Sequence, residues 1–341
     1  MNRVAALALA LLTIVGCSGA ANASGDRVDV PIAQTVLPDR TVRYSIPIRI
    51  GSSLPIKAML DTGSNGIHVL PGVVPSDSVT LTGRMQDYGY GSGVKLSGPV
   101  ANAAVKIGGH EISAPIHIHA VETIGCFDKK PKCPASRISQ AEYGLGGDGI
   151  ANQGFKAIVG TSMPVRGHPE RLFENPLLFI GEARWIVSLP LPGQSAPGHL
   201  IINPDERDLA GYTMFDKLAP IASMNQEALP GCVHNEKTGR AFCGPVLLDS
   251  GEVGVHITAP GMPTRSWQPG TRGTVAFKDE GAQQPKTMMA FAVGRSMPGA
   301  HVSMASEANA AATFTNAGVL PFFTFDVFYD AKAHAIGLKR R

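Results

Sequence analysis

An apolar run ending in Asp-Thr/Ser-Gly occurs twice in this chain, and the repeat constrains its fold more than any other feature. Ile56-Lys57-Ala58-Met59-Leu60 leads into Asp61-Thr62-Gly63-Ser64, and Pro245-Val246-Leu247-Leu248 leads into Asp249-Ser250-Gly251. After a buried strand this tripeptide suits a tight turn. The glycine permits backbone conformations closed to residues with a Cβ, and the hydroxyl can hydrogen-bond across a pseudo-symmetric interface. Two such turns would set two carboxylates face to face. Like charges that close cannot both ionise cheaply, so the pair shares a proton and yields one acid and one base from identical side chains. That arrangement can activate a water. One Asp-X-Gly at a strand end is ordinarily only a turn, so the weight lies in the duplication.

Further landmarks follow in order. Asn65-Gly66-Ile67-His68-Val69-Leu70 reads as an extended apolar strand, and Tyr88-Gly89-Tyr90-Gly91-Ser92-Gly93 as a glycine-bearing hairpin tip. Gly98 to Gly109 continues away from that tip, and Ala157-Ile158-Val159-Gly160 supplies an apolar-apolar-Gly segment. Phe325-Asp326-Val327-Phe328-Tyr329-Asp330-Ala331 and Ile336-Gly337-Leu338 flank the turn Lys332-Ala333-His334-Ala335, a pattern that suits a closing β-hairpin.

From about Arg43 to the C-terminus these motifs resemble the pepsin-like, two-lobed aspartic peptidases. The resemblance implies a mainly β, bilobal acid-protease fold, with two pseudo-symmetric β-barrel-like lobes and a central cleft. It implies Asp61 and Asp249 as the catalytic pair, set in turns completed by Gly63 and Gly251. Thr62 and Ser250 would lock the two loops reciprocally, and Ser64 would support the Asp61 carboxylate. Tyr88, with Gly89, Tyr90 and Gly91, would form a flap over the substrate. The implied activity is aspartic-type endopeptidase, hydrolysing a polypeptide held between the lobes through a water activated by the two aspartates. The same resemblance implies a monomer that needs neither metal nor organic cofactor.

Two positions depart from the family pattern. The residue after Gly251 is usually Ser or Thr, whose hydroxyl supports the second carboxylate, but here it is Glu252. Ionised Glu only accepts hydrogen bonds, and its charge near the pair favours protonation. Asn316-Ala317-Gly318 stands where two apolar residues usually precede Gly, so the loop under Asp249 is expected to be rearranged. These departures sustain an alternative: a catalytically inactive peptide-binding or envelope scaffold protein with the same fold.

The chain has 341 residues, 44% hydrophobic and 17% charged, enough for two cores. Its 39 glycines and 26 prolines favour a β protein with many turns. A net charge of +3 without a basic cluster beyond Lys339-Arg340-Arg341 argues against nucleic-acid binding. Residues 1–23 read as a signal peptide: Arg3, an apolar Val4 to Val15, and a small-residue site at Ala21-Asn22-Ala23. Ile14-Val15-Gly16-Cys17 also resembles a bacterial lipobox, which would lipidate Cys17 and tether the protein to a membrane. Both processing routes stay open, and either makes the protein exported, periplasmic or anchored in the cell envelope, with secretion a further outcome. The short stretch between Ala23 and Asp61 leaves no room for the propeptide of the family's gastric members.

An N-terminal lobe is expected over 26–188, a linker over 189–198 and a C-terminal lobe over 199–341, with substrate between the lobes. Export makes disulfides favourable for Cys126, Cys133, Cys232 and Cys243. Short loops point to Cys126–Cys133 and Cys232–Cys243, although four cysteines allow three connectivities. Gly144-Leu145-Gly146-Gly147-Asp148-Gly149 matches G-x-G-x-x-G but lacks a preceding strand and a following helix, so it reads as no nucleotide site. His117 and His119 read as strand-surface histidines lacking a third metal ligand. Neither Ser64 nor Ser250 has a local His to activate it.

Overall fold

The computed structural model describes residues 25–166, 172–221, 224–294, 298–306 and 312–341. The apolar leader, Cys17 and the Ala21-Asn22-Ala23 site lie outside the described residues. The protein is mainly β, with 47% of residues in strands and 6% in helix, and its strands form two curled sheets. Among the described residues the larger sheet has 16 strands and the smaller nine.

The first apolar run forms the strand Ile56–Asp61, in which every residue except Lys57 is buried. It pairs antiparallel with Val42–Ile50 on one side and parallel with Ala157–Thr161 on the other. Ala157–Thr161 pairs in turn, antiparallel, with the return strand Asn65–Val69. The chain therefore runs up one strand, turns at Asp61-Thr62-Gly63 and comes back with a third strand held between its two arms. Continuous apolar runs suit these strands because both faces are covered.

The smaller sheet repeats the motif. Arg240–Leu247 pairs antiparallel with Gln226–Asn235 and parallel with Phe314–Asn316. Phe314–Asn316 lies antiparallel to the return strand Val255–Thr258. Asp249-Ser250-Gly251 thus occupies the same place in the second motif as Asp61-Thr62-Gly63 in the first. The two disulfides are Cys126–Cys133 and Cys232–Cys243, as the short loops indicated. The second joins neighbouring strands of the smaller sheet at paired positions. Two disulfides suit an oxidising, exported environment.

Chain segments remote in sequence close the larger sheet. The first half of Val28–Val36 pairs with Gly198–Ile202 and the second half with Val42–Ile50. Gly198–Ile202 pairs with Arg184–Ser188, which pairs with Phe325–Asp330 and through it Ala335–Arg340. The closing hairpin read at the C-terminus therefore forms, inside the larger sheet. Residues 189–197 connect two antiparallel neighbours of that sheet. Trp185, fully buried, stacks on Tyr329 with ring centroids 5.3 Å apart, so N-terminal, middle and C-terminal strands share one apolar layer. Trp185→Ala should lower stability by about 3–5 kcal/mol through lost burial and the cavity left behind, read as a reduced denaturant midpoint at unchanged m-value.

Candidate active site

The two turns meet and lock. The Thr62 N–H donates to Ser250 Oγ at 3.1 Å, and the Ser250 N–H donates to Thr62 Oγ1 at 2.9 Å. Each hydroxyl then spends its own proton on the opposite strand, Thr62 on the Leu248 carbonyl and Ser250 on the Leu60 carbonyl, both at 2.8 Å. A hydroxyl accepts and donates at once, which is why Thr and Ser suit these positions. Both are buried, so removing either leaves unpaired polar groups away from water.

This lock brings the carboxyls together. Asp61 and Asp249 are only 6% and 8% exposed. Asp61 Oδ1 accepts from the Gly63 N–H at 2.8 Å and Oδ2 from the Ser64 hydroxyl at 2.6 Å. Asp249 Oδ1 accepts from the Gly251 N–H at 2.8 Å. A Cβ on Gly63 would lie 2.2 Å from Asp249 Cγ, and one on Gly251 would lie 2.6 Å from Asp61 Cγ. Each glycine leaves room for the carboxyl of the other loop, and no larger residue does.

Burial, the Asp61 charge and the hydrogen bond to Asp61 hold the Asp249 carboxyl well above the usual carboxylate range. Two carboxyls held this way favour one shared proton over joint ionisation.

Glu252 does not hydrogen-bond the Asp249 carboxyl. Its Oε1 accepts from the Val253 and Gly254 N–H groups at 2.8 and 3.1 Å and meets His256 Nε2 at 3.2 Å. The side-chain donor to Asp249 is Asn316, whose Nδ2 reaches Asp249 Oδ2 at 2.7 Å while its Oδ1 accepts from the Gly318 N–H at 2.9 Å. Asn316 thus does for Asp249 what Ser64 does for Asp61. The Asp249 N–H donates in turn to the Gly318 carbonyl at 3.2 Å.

Arg43 is a participant that the motifs did not reveal. Nearly buried, it donates through Nη1 to the Gly251 carbonyl, through Nε to the Gly146 carbonyl at 3.0 Å, and through Nη2 to both Asp148 oxygens at 2.7 and 2.8 Å. The glycine-rich segment at 144–149 is thus a receptor for a guanidinium that braces the second turn. Its signal in the sequence was Asp148 among glycines, legible only with its partner known.

The hairpin holding Tyr88, Gly89, Tyr90 and Gly91 pairs Thr80–Gly89 with Val94–Ala103. Tyr88 packs over His68 at 4.0 Å between ring centroids, and its hydroxyl oxygen accepts from the Asn65 N–H at 3.2 Å. The Tyr90 hydroxyl is buried; burial first, then Tyr88 and the Asp61 charge, push its pKa far up and keep it protonated. Both tyrosines therefore face the first turn.

The Cys126–Cys133 loop clamps the hairpin tip. Lys130 Nζ donates to the Gly91 carbonyl at 2.6 Å, the Phe127 N–H donates to the Gly93 carbonyl at 3.0 Å, and the Phe127 ring lies against Gly89.

His119 is buried, unlike the surface residue expected, while its neighbour His117 is exposed. Its Nδ1 lies 3.1 Å from His68 Nδ1, and Phe173 stacks on the His119 ring. Burial, then the neighbouring His119, lower the His68 pKa to about 3. His68 is therefore neutral across the physiological range, burial lowers the His119 pKa as well, and among the described residues no third metal ligand joins the two.

Neither protein-family models nor curated proteins give a match to this chain. Two outcomes test the geometry. Asn316→Ala should raise the Asp249 carboxyl pKa further, since the lost amide favours the ionised form, and carbon-detected NMR titration reads this directly. Cys126→Ser/Cys133→Ser should speed amide exchange at the hairpin tip while leaving the strands around Asp61 protected, because the loop clamps the tip alone.

Proposed function

We propose that this protein is an exported aspartic endopeptidase of pepsin-like fold. The observation that carries the reading is the pair of buried aspartates on two turns cross-bonded by Thr62 and Ser250. Such a pair holds one proton, and one ionised and one protonated carboxyl are what peptide hydrolysis without a covalent intermediate requires.

In this mechanism a water lies between the two carboxyls. Asp61 takes a proton from it as its oxygen attacks the peptide carbonyl, and Asp249 gives its proton to the carbonyl oxygen, producing a neutral tetrahedral diol. Collapse breaks the C–N bond, the amine leaves with the proton held by Asp61, and Asp249 recovers one from the diol. The dyad then has its starting charge. Ser64 and Asn316 orient the two carboxyls throughout. The hairpin with Tyr88 and Tyr90 would close over the substrate and exclude water.

The scaffold alternative drew its strength from Glu252. That carboxylate is engaged by His256 and two backbone N–H groups, and Asn316 supplies the donor it could not, which supports catalysis over a purely binding role. The N-terminal apolar segment supports export, by signal-peptide cleavage or by lipidation at Cys17, and the substrate class is a polypeptide.

The mature chain should cleave a denatured protein between pH 3 and 7, and pepstatin should block it. Asp61→Asn and Asp249→Asn should each lower kcat by about 10²–10⁴-fold with the fold retained. Absence of cleavage by folded wild type at any pH, or activity surviving both substitutions, would contradict the proposal.

A further inference from the structure

Glu252 and His256 sit on the second turn and on the strand that returns from it, close to Asp249 but not hydrogen-bonded to its oxygens. The Glu252 backbone is fixed in the turn: its N–H donates to the Asp249 carbonyl at 3.2 Å, and its carbonyl accepts from the Val319 N–H at 2.9 Å. Its side chain turns to His256 Nε2 at 3.2 Å. The other nitrogen, His256 Nδ1, hydrogen-bonds Ser303 Oγ on the adjacent parallel strand, which fixes the ring. With both nitrogens engaged, one by a carboxylate and one by a hydroxyl, the ring is suited to the imidazolium form.

The order Ser303–His256–Glu252 has the components of a nucleophilic triad, but an imidazolium cannot take a proton from Ser303. The hydrogen bond to Glu252 raises the His256 pKa, against burial and the charge of Lys130. Burial pushes Glu252 up, but His256 and Arg43 outweigh it and leave the carboxyl below its usual range. The groups facing the pair are thus Asp249 and Arg43 on the Glu252 side and Lys130 on the His256 side, with His301 against Gly254 beside the ring.

We propose that the Glu252–His256 ion pair governs the pH range over which Asp249 keeps the shared proton, with His256 as a positioning residue that masks the Glu252 charge. While both are ionised, Asp249 has a neighbour of nearly zero net charge. Because the folded-state pKa of His256 is raised and that of Glu252 lowered, the pair persists between the two transitions and is lost as pH rises through the His256 value. Glu252 then stands alone beside the dyad, and its negative charge favours retention of the proton on Asp249. The protein would remain competent further into the neutral range than it would with a neutral side chain at position 252.

The catalytic consequence rests on the aspartic-endopeptidase reading, whereas the charge coupling can be measured without it. The test compares the full mature chain with Glu252→Gln and His256→Gln. Both side chains are at least a third exposed, 33% and 47%, and glutamine keeps hydrogen-bonding capacity while removing one charge. In carbon-detected titrations, Glu252→Gln should move the Asp249 transition to lower pH and bring the His256 midpoint down. His256→Gln should move the Asp249 transition to higher pH. In cleavage assays one pH unit above the wild-type alkaline midpoint the first variant should lose about threefold in kcat/KM, and the second should gain only where wild-type His256 is still ionised. Opposed titration shifts support the coupling even if wild type cleaves nothing, a result that would defeat the endopeptidase reading alone. Shifts of the same sign, or an Asp249 transition unmoved in both variants, would overturn it.

Discussion

Thr62 and Ser250 exchange two hydrogen bonds where the turns meet and each donates one more to a carbonyl of the opposite strand, Leu248 or Leu60, and the meeting of the two carboxyls depends on these four bonds. Each bond contributes about 0.5–1.5 kcal/mol net, but breaking one would expose its buried partners to a larger penalty. The asymmetry makes the junction all-or-none. It carries Asp61 and Asp249 into mutual contact, which neither sheet alone could do. The like charges then resist joint ionisation, and the proton they share is a consequence of where the hydroxyls hold the backbone. The larger sheet draws its closing strands from the N-terminus, the middle and the C-terminus of the chain.

The two halves of the site repeat a geometry with different chemistry. Asp61 is supported by a hydroxyl from its own turn, whereas Asp249 is supported by an amide from a strand 67 residues further on. A hydroxyl can donate or accept, but an amide N–H only donates, so the outer oxygen of Asp249 is held as an acceptor. Glu252 is thereby released from the supporting role and becomes available for an ion pair. Arg43 joins this second half by tying the Gly251 carbonyl to Asp148.

Much of this was legible in the sequence because local chemistry fixed it. Apolar runs ending in Asp-Thr/Ser-Gly announced strand and turn, and the short spacing of Cys126–Cys133 and Cys232–Cys243 announced the disulfides. The parts that were not legible depend on partners distant in the chain. Asn316 read as a defect in an apolar segment until its amide was seen to reach Asp249. Arg43 carried no signal of its own, and Gly144 to Gly149 matched a nucleotide pattern only without its flanking strand and helix, until the two were seen to meet. His119 alternated like a surface residue, but the pairing of Ile116–Ala120 with Asn65–Val69 sets it against His68 beneath the hairpin. Periodicity reports which face a side chain occupies, not what will cover that face.

The central claim is that Asp61 and Asp249 titrate as one coupled pair because the locked turns hold them together. The most direct measurement is the carboxyl titration of Asp249, followed by carbon NMR, in wild type and in Asp61→Asn. Removing the Asp61 charge should move the Asp249 transition down, towards the ordinary carboxylate range. An Asp249 transition at the same pH in both proteins would show that the two carboxyls do not share a proton, and would contradict the account.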